Sequence, residues 1–197
     1  GILSDTNEGM LKLSPLKQKK IRQAIAYGID KHKMLLYLRN SIGSSAESGF
    51  IPMGLPVFDS TMVKGYHYNP SKSKQLLKEA GFDDQHPMPV VKLLTVPNYA
   101  ALGSFMANEL KQLGINVVVE TVQKSLLLDQ MSKSQALFFR GSWIADYPDP
   151  SNFMDVFYGK HPAPPNYTRF QNAYFDALYE RSNNEADAKS RNKLFHQ

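Results

Sequence analysis

Val90-Val91-Lys92-Leu93-Leu94-Thr95-Val96, followed through residues 97–114 to Ile115-Asn116-Val117-Val118-Val119-Glu120-Thr121, decides the fold. Both ends of this stretch are rich in β-branched and aliphatic residues, the composition of buried strands. Between them Leu102, Phe105, Met106, Leu110 and Leu113 recur at helical spacing, in a segment that opens at Asn98 and closes at Gly114. A strand, a helix and a strand joined by a crossover of that length make parallel neighbours with the helix packed on the sheet. A short helix around Ser125–Met131 then leads to a third strand, Ala136–Trp143. The expected class is α/β, a mostly parallel sheet flanked by helices. Such sheets place ligands outside the C-terminal ends of their strands. Function is therefore expected in the loop Asp146 to Pro150, after the third strand. Asn98 and Tyr99, after the first strand, are positioned to line the same cleft.

Upstream, Ser14-Pro15 carries the signal for a helix start, Ser as cap and Pro at the first helical position. Ile21, Ala24, Ile25 and Ile29 follow near one face, and Asp30 can cap a second helix through Leu38. Ser41 to Ser60 contains Ile51-Pro52-Met53-Gly54-Leu55-Pro56, which holds no regular structure. It carries apolar residues worth burying, so an ordered loop is expected. Asn69-Pro70 repeats the cap-plus-proline signal, and Gly81 ends that helix. Downstream lie a helix Ser151–Tyr158, a proline-rich loop His161–Pro165, and helices near Gln171–Asn183 and Glu185–His196.

The composition is that of a folded domain: 197 residues, 42% hydrophobic and 21% charged. No apolar run approaches the length of a membrane span. The absence of cysteine excludes disulfides and thiolate metal sites. The net charge of +5 comes largely from Lys17, Lys19, Lys20, Arg22, Lys31, Lys33 and Arg39. These read as a solvated helix face rather than a nucleic-acid footprint, because no stacking-aromatic pattern accompanies them. The five histidines are scattered without ligand spacing. Asp146, Asp149 and Asp155 are a candidate carboxylate cluster for hydrolysis or a metal. However, Asp149-Pro150-Ser151 reads better as the entry to a helix. No nucleophile elbow, phosphate loop or dinucleotide fingerprint occurs. No catalytic residue, metal or cofactor is expected.

Five segments in order carry a family resemblance: Ile21-Arg22-Gln23-Ala24-Ile25-Ala26-Tyr27-Gly28-Ile29-Asp30-Lys31, the loop Ile51–Pro56, Tyr68-Asn69-Pro70 through Ala80-Gly81-Phe82, Leu110-Lys111-Gln112-Leu113-Gly114-Ile115-Asn116-Val117, and Trp143-Ile144-Ala145-Asp146-Tyr147-Pro148-Asp149-Pro150-Ser151-Asn152-Phe153. Over roughly residues 15–197 the chain resembles the family-5 extracytoplasmic solute-binding proteins, the oligopeptide and dipeptide receptors of ABC importers. The resemblance implies a lobe of the type II periplasmic-binding-protein fold. Residues 1–197 would form a single ligand-binding lobe, the C-terminal one of two, with 1–14 as a linker or strand from the other lobe. It implies a peptide ligand, the missing N-terminal lobe and ABC permease subunits as partners, and a periplasmic or envelope-anchored, lipoprotein-like location. A ligand-sensing lobe of a transcriptional regulator, and a family member for a nickel complex, haem or a sugar, are the alternatives.

The resemblance further implies that Asp146 receives the α-amino group of a bound peptide. An ammonium ion leaving water needs a carboxylate, and such a charge-assisted bond contributes roughly 1.5–3 kcal/mol. The competing reading is turn chemistry, Asp satisfying its own backbone. Trp143 is either core filling or a pocket wall. Ser142, Ile144 and Ala145 offer a backbone edge with which an extended peptide can pair. Tyr147 would bond the ligand or merely pack. Arg140 matches an arginine implied to meet the carboxylate of short ligands, and otherwise is a solvated or ion-paired strand residue.

Overall fold

The computed structural model describes Ile2 and residues 12–197. The expectation for residues 1–14 lies largely outside the described residues. Ile2 itself forms an antiparallel bridge with Phe138.

Pro15–Lys17 is a single 3-10 turn, capped by the Ser14 side chain accepting from the Leu16 amide. Gln18 is extended, so helix α1 begins only at Lys19 and runs to Tyr27. The Ser-Pro signal thus marks a turn ahead of the helix rather than its start. Asp30 caps α2 (Lys31–Arg39) by accepting from Lys33 N at 2.9 Å. Asn69 caps α3 (Pro70–Glu79) by accepting from Lys72 N at 2.9 Å. After β1 (Val91–Thr95) a 3-10 turn, Pro97–Tyr99, precedes α4 (Ala100–Lys111). Asn98 therefore sits in the turn and does not open the helix. Then come β2 (Val117–Thr121), α5 (Lys124–Ser132) and α6 (Pro150–Met154), which tightens into a 3-10 turn, Asp155–Phe157. Helices α7 (Ala173–Asn184, capped by Asn172) and α8 (Ala188–Phe195, capped by Asp187) complete the chain.

β1 and β2 pair in parallel, from Val91 with Val117 to Thr95 with Thr121. On the other side of β1, Leu94 makes one parallel bridge with Phe139. The spatial order is β2, β1, the Phe138–Phe139 segment and Ile2. The third strand expected over Ala136–Trp143 is thus reduced to its first half. Arg140 N donates to Leu94 O at 2.8 Å, and there the ladder stops. Beyond it the chain of β1 turns away at Pro97, and Val96 O accepts from Tyr99 N at 2.9 Å.

The sheet has an apolar layer on each face. Val91 and Leu93 pack with Ile21, Ile25, Leu76, Leu110 and Ile115. Leu94 points the other way, to Leu127, Met131, Ala136 and Phe139. Helices α1 and α3 are tied by Ser73 Oγ, which donates to Ala24 O at 2.8 Å in the interior. Gly28 closes α1 against α4. A Cβ there would lie 2.8 Å from Leu113 Cδ1 and 2.9 Å from Leu110 Cδ2. The long loop after α2 is packed, as its apolar residues suggest: Val57 is buried, and the Phe50 ring meets Phe157 edge-on at 4.9 Å.

Leu110 is wholly buried at the junction of α1, α4 and β1. Leu110→Ala is expected to cost about 2–5 kcal/mol of folding free energy. Chemical denaturation followed by circular dichroism measures it.

Candidate binding site

The site starts where the parallel ladder ends. From Gly141 to Ala145, no backbone N–H or C=O makes a hydrogen bond with any described residue. The segment nevertheless has a fixed course, because Asn152 holds it from below. Asn152 is 2% exposed. Its Oδ1 accepts from Trp143 Nε1 at 2.9 Å and from Asp146 N at 3.3 Å. One amide oxygen thus pins both ends of the Trp143–Asp146 turn. Ile144, between them, is 87% exposed, so an apolar side chain is presented to solvent at the crest.

Asn152 is held in turn by its helix. Asp149 caps α6, accepting from Ser151 N at 2.8 Å. Both Asp149 oxygens accept from Arg191 of α8, each at 2.8 Å. This bidentate pair joins the loop to the C-terminal helices. The guanidinium holds the Asp149 carboxyl far below the usual carboxylate range. Asp155 accepts from the Tyr179 hydroxyl. Burial first, and that bond second, push the Tyr179 phenol up to about 12.

The three aspartates of this region therefore divide. Asp149 and Asp155 are consumed by structure. Asp146 is exposed, and its carboxylate has no hydrogen-bond or ion-pair partner among the described residues. The turn-chemistry reading belongs to Asp149, not to Asp146. Nor do the three make a metal cluster: among the described residues no group of three His, Cys, Asp or Glu is placed to hold an ion.

At the other end of the strip, the Arg140 guanidinium carbon lies 3.5 Å from the centre of the Tyr99 ring. Nη1 donates to Ser142 Oγ at 3.2 Å. Among the described residues Arg140 has no carboxylate partner. It is parked on an aromatic face worth about 0.5–2 kcal/mol, with donors to spare. Tyr99 thereby joins the site as a platform under Arg140. Asn98 is exposed in the same turn and forms no part of this contact. Tyr147 is 50% exposed, and its carbonyl accepts from Asp149 N at 2.9 Å. Trp143 is half-buried and borders a cavity of about 180 Å³ together with Gly141 and Ser142.

Residues 7–164 match the profile of the bacterial extracellular solute-binding proteins, family 5, middle region. The chain belongs to this family. It is 26% identical over 199 residues to the dipeptide-binding protein DppE of Bacillus subtilis, covering 95% of this chain and 36% of the relative. It is also 26% identical over 190 residues to heme-binding protein A of Haemophilus influenzae, covering 93% and 34%. Among solved structures it resembles DppA of Helicobacter pylori, an ABC transporter-associated periplasmic binding protein solved with the peptide STSA. There the TM-score is 0.81 at 20% identity, over 99% of this chain and 37% of the other. The fold is thus that of the type II periplasmic binding proteins, as the motifs implied. The chain spans about 36% of the length of such relatives.

Asn152 and Arg191 are structural members of the site that sequence reasoning did not single out. Asn152 stood inside the quoted motif, and its fixed place nine residues after Trp143 was the available signal. Arg191 had none, being 42 residues from its partner.

The Asp149–Arg191 pair makes stability pH-dependent. A carboxyl whose pKa is depressed by folding contributes fully above its unfolded pKa and loses that contribution as pH falls through the folded one. Asp149→Asn should lower stability by a constant amount from neutral pH down to about pH 4, the ordinary Asp range. Below that the difference from wild type should shrink. Denaturation midpoints of the two proteins across pH measure this.

Proposed function

We propose that the chain is the ligand-binding lobe of an extracytoplasmic receptor that captures peptides and delivers them to an ABC importer. The observation that carries this is the unpaired backbone of residues 141–145, bounded by Arg140, which stacks on Tyr99 with no carboxylate partner among the described residues, and by Asp146, whose carboxylate has no partner among them. An extended peptide is the ligand whose functional groups match that series. Its main chain pairs with the open edge, its ammonium meets Asp146, and in a short peptide its carboxylate meets Arg140. Main-chain pairing gives affinity without reading every side chain, which suits a receptor for many sequences.

The role is capture rather than chemistry. The site's polar groups are aimed at the two ends of a ligand, and the family is one of solute-binding proteins. The opposite wall of the cleft would come from a second lobe, and closure of the two around the peptide would be the state that permease subunits read. Exposed Ile144 and Tyr147 are then surface for ligand or lobe to cover. The location is extracytoplasmic, periplasmic or anchored to the envelope. Among the described residues no helix is long and apolar enough to cross a membrane. One relative is named for haem and another for deoxycholate, but an unpartnered carboxylate at the end of an open backbone segment favours an amine-bearing ligand here. The regulator reading has no counterpart among these relatives.

In the full-length gene product, Asp146→Ala should weaken binding of tri-alanine by about tenfold or more, some 1.4 kcal/mol. Titration calorimetry measures it, and unchanged affinity would remove Asp146 from the site.

A further inference from the structure

Helices α1 and α3 bring two separate basic runs together. Lys17, Lys19, Lys20 and Arg22 lie in α1 and the turn before it, and Lys72, Lys74 and Lys78 lie on α3. The helices pack side by side, tied inside by Ser73 to Ala24 and outside by the Lys20–Glu79 ion pair at 3.1 Å. Residues 15–27 and 70–79 hold these seven cations and one acid, Glu79, a net charge of +6. The whole chain carries +5. The protein's excess positive charge therefore sits on these two neighbouring segments. We propose that their solvent face is an interaction surface for anionic lipid headgroups, which holds the receptor against the membrane. The inference rests on the importer reading above only for the presence of a membrane, and not on the identity of the ligand.

Folding does not account for these charges. Neither helix has an acid in its first turn, and lysines stand there instead, Lys19 and Lys20 in α1 and Lys72 in α3. The helix dipole favours the opposite sign at that end. Helix α3 turns Ser73, Leu76 and Leu77 inward, which leaves Lys74 and Lys78 exposed four residues apart, a spacing at which like charges repel. Among the described residues the ammonium groups of Lys17, Lys19, Lys74 and Lys78 have no hydrogen-bond or ion-pair partner.

The chemistry fits a headgroup surface better than a nucleic acid. The unpartnered cations are lysines, compact point charges that need no fixed partner geometry. The one guanidinium, Arg22, is turned back onto the carbonyl oxygens of Leu16 and Lys17, each at 2.8 Å. The one aromatic ring of the two segments, Tyr27, meets Tyr66 edge-on at 5.0 Å instead of standing free to stack on a base. Lysines side by side at an anionic membrane gain from each charge that comes within a Debye length of it.

The position leaves the strip free. Lys74 and Lys78 border a depression together with Met88, Gly114 and Asn116, residues just ahead of β1 and β2. The strip lies at the opposite end of the sheet, where β1 stops. Asp83 and Asp84 border the same depression. Asp83 is taken by the amides of Gln85 and His86, and counting both acids still leaves a net of +4.

The test is co-sedimentation of the full-length gene product with vesicles of phosphatidylcholine, alone or mixed with phosphatidylglycerol. At about 0.01 M salt the mixed vesicles should bind it about tenfold or more better than the neutral ones. The difference should shrink at about 0.15 M, where the Debye length falls from roughly 30 Å to about 8 Å. Joint substitution of Lys17→Gln, Lys19→Gln, Lys74→Gln and Lys78→Gln should remove most of that binding and leave tri-alanine affinity unchanged. An equal loss of charge elsewhere, Lys64→Gln, Lys124→Gln, Lys189→Gln and Lys193→Gln, should leave vesicle binding in place. The pairs Lys17/Lys19 and Lys74/Lys78, replaced separately, should each lower it several-fold, which keeps the test decisive if the quadruple variant does not fold. Equal binding to both vesicle types, or an equal loss in the two sets of variants, overturns the proposal. So does binding of a DNA duplex at the same low salt without binding of the mixed vesicles. If the vesicles bind and tri-alanine does not, the peptide reading fails and the lipid surface stands.

Discussion

The amide of Arg140 donates to the carbonyl of Leu94, and no further rung of the parallel ladder forms on that side of β1. The cause is local. Val96 would supply the next rung, but the chain of β1 turns away into a 3-10 turn at Pro97, and Val96 O accepts from Tyr99 N instead. The neighbouring segment continues past Arg140 without a backbone partner among the described residues. An unpaired backbone edge is usually a liability. Here it lies at the C-terminal end of a parallel sheet, where ligands of such folds are bound, and it is flanked by the unpartnered carboxylate of Asp146 and by Arg140, which keeps donors to spare beside its Tyr99 and Ser142 contacts. The candidate site exists because the chain after Arg140 runs on past the end of β1 with its backbone unpaired.

An open backbone segment recognises a ligand only if it is held still. Asn152 does this with a single oxygen, shared between Trp143 and Asp146. Asp149 and Arg191 fix the helix that carries Asn152. The aromatic contacts among Phe50, Phe157 and Phe170 brace the far side. The polar groups inside this frame are satisfied by one another, which leaves the exposed ones, Asp146 and the spare donors of Arg140, to a ligand. Such division of labour lowers the ordering cost of binding.

Much of this was legible in the sequence. The caps Asp30 and Asn69 are where their residue types placed them, and β1 and β2 fall within the β-branched runs that predicted them. These signals are local, carried by residues within a few positions of the element they shape. The third strand was overestimated for the opposite reason. Ala136 through Trp143 has strand composition, but a strand also needs a partner, and the partner's end is set by Pro97, some forty residues earlier in the chain. In the same way the Trp143-to-Phe153 motif pointed to Asp146, whereas the distinction between a free and a committed aspartate depended on Arg191 and Tyr179 in remote helices. The stacking of Arg140 on Tyr99 likewise joins two strand ends that only the sheet brings together.

The central claim is that the backbone of residues 141–145 is open in the free protein and is closed by an extended peptide. Amide hydrogen exchange over this segment, in the full-length gene product with and without saturating tri-alanine, tests it most directly. The account predicts fast exchange without peptide and strong protection with it, confined to the strip and the walls around it. Exchange that is already slow in the free protein, or unchanged when calorimetry shows the peptide bound, would contradict it.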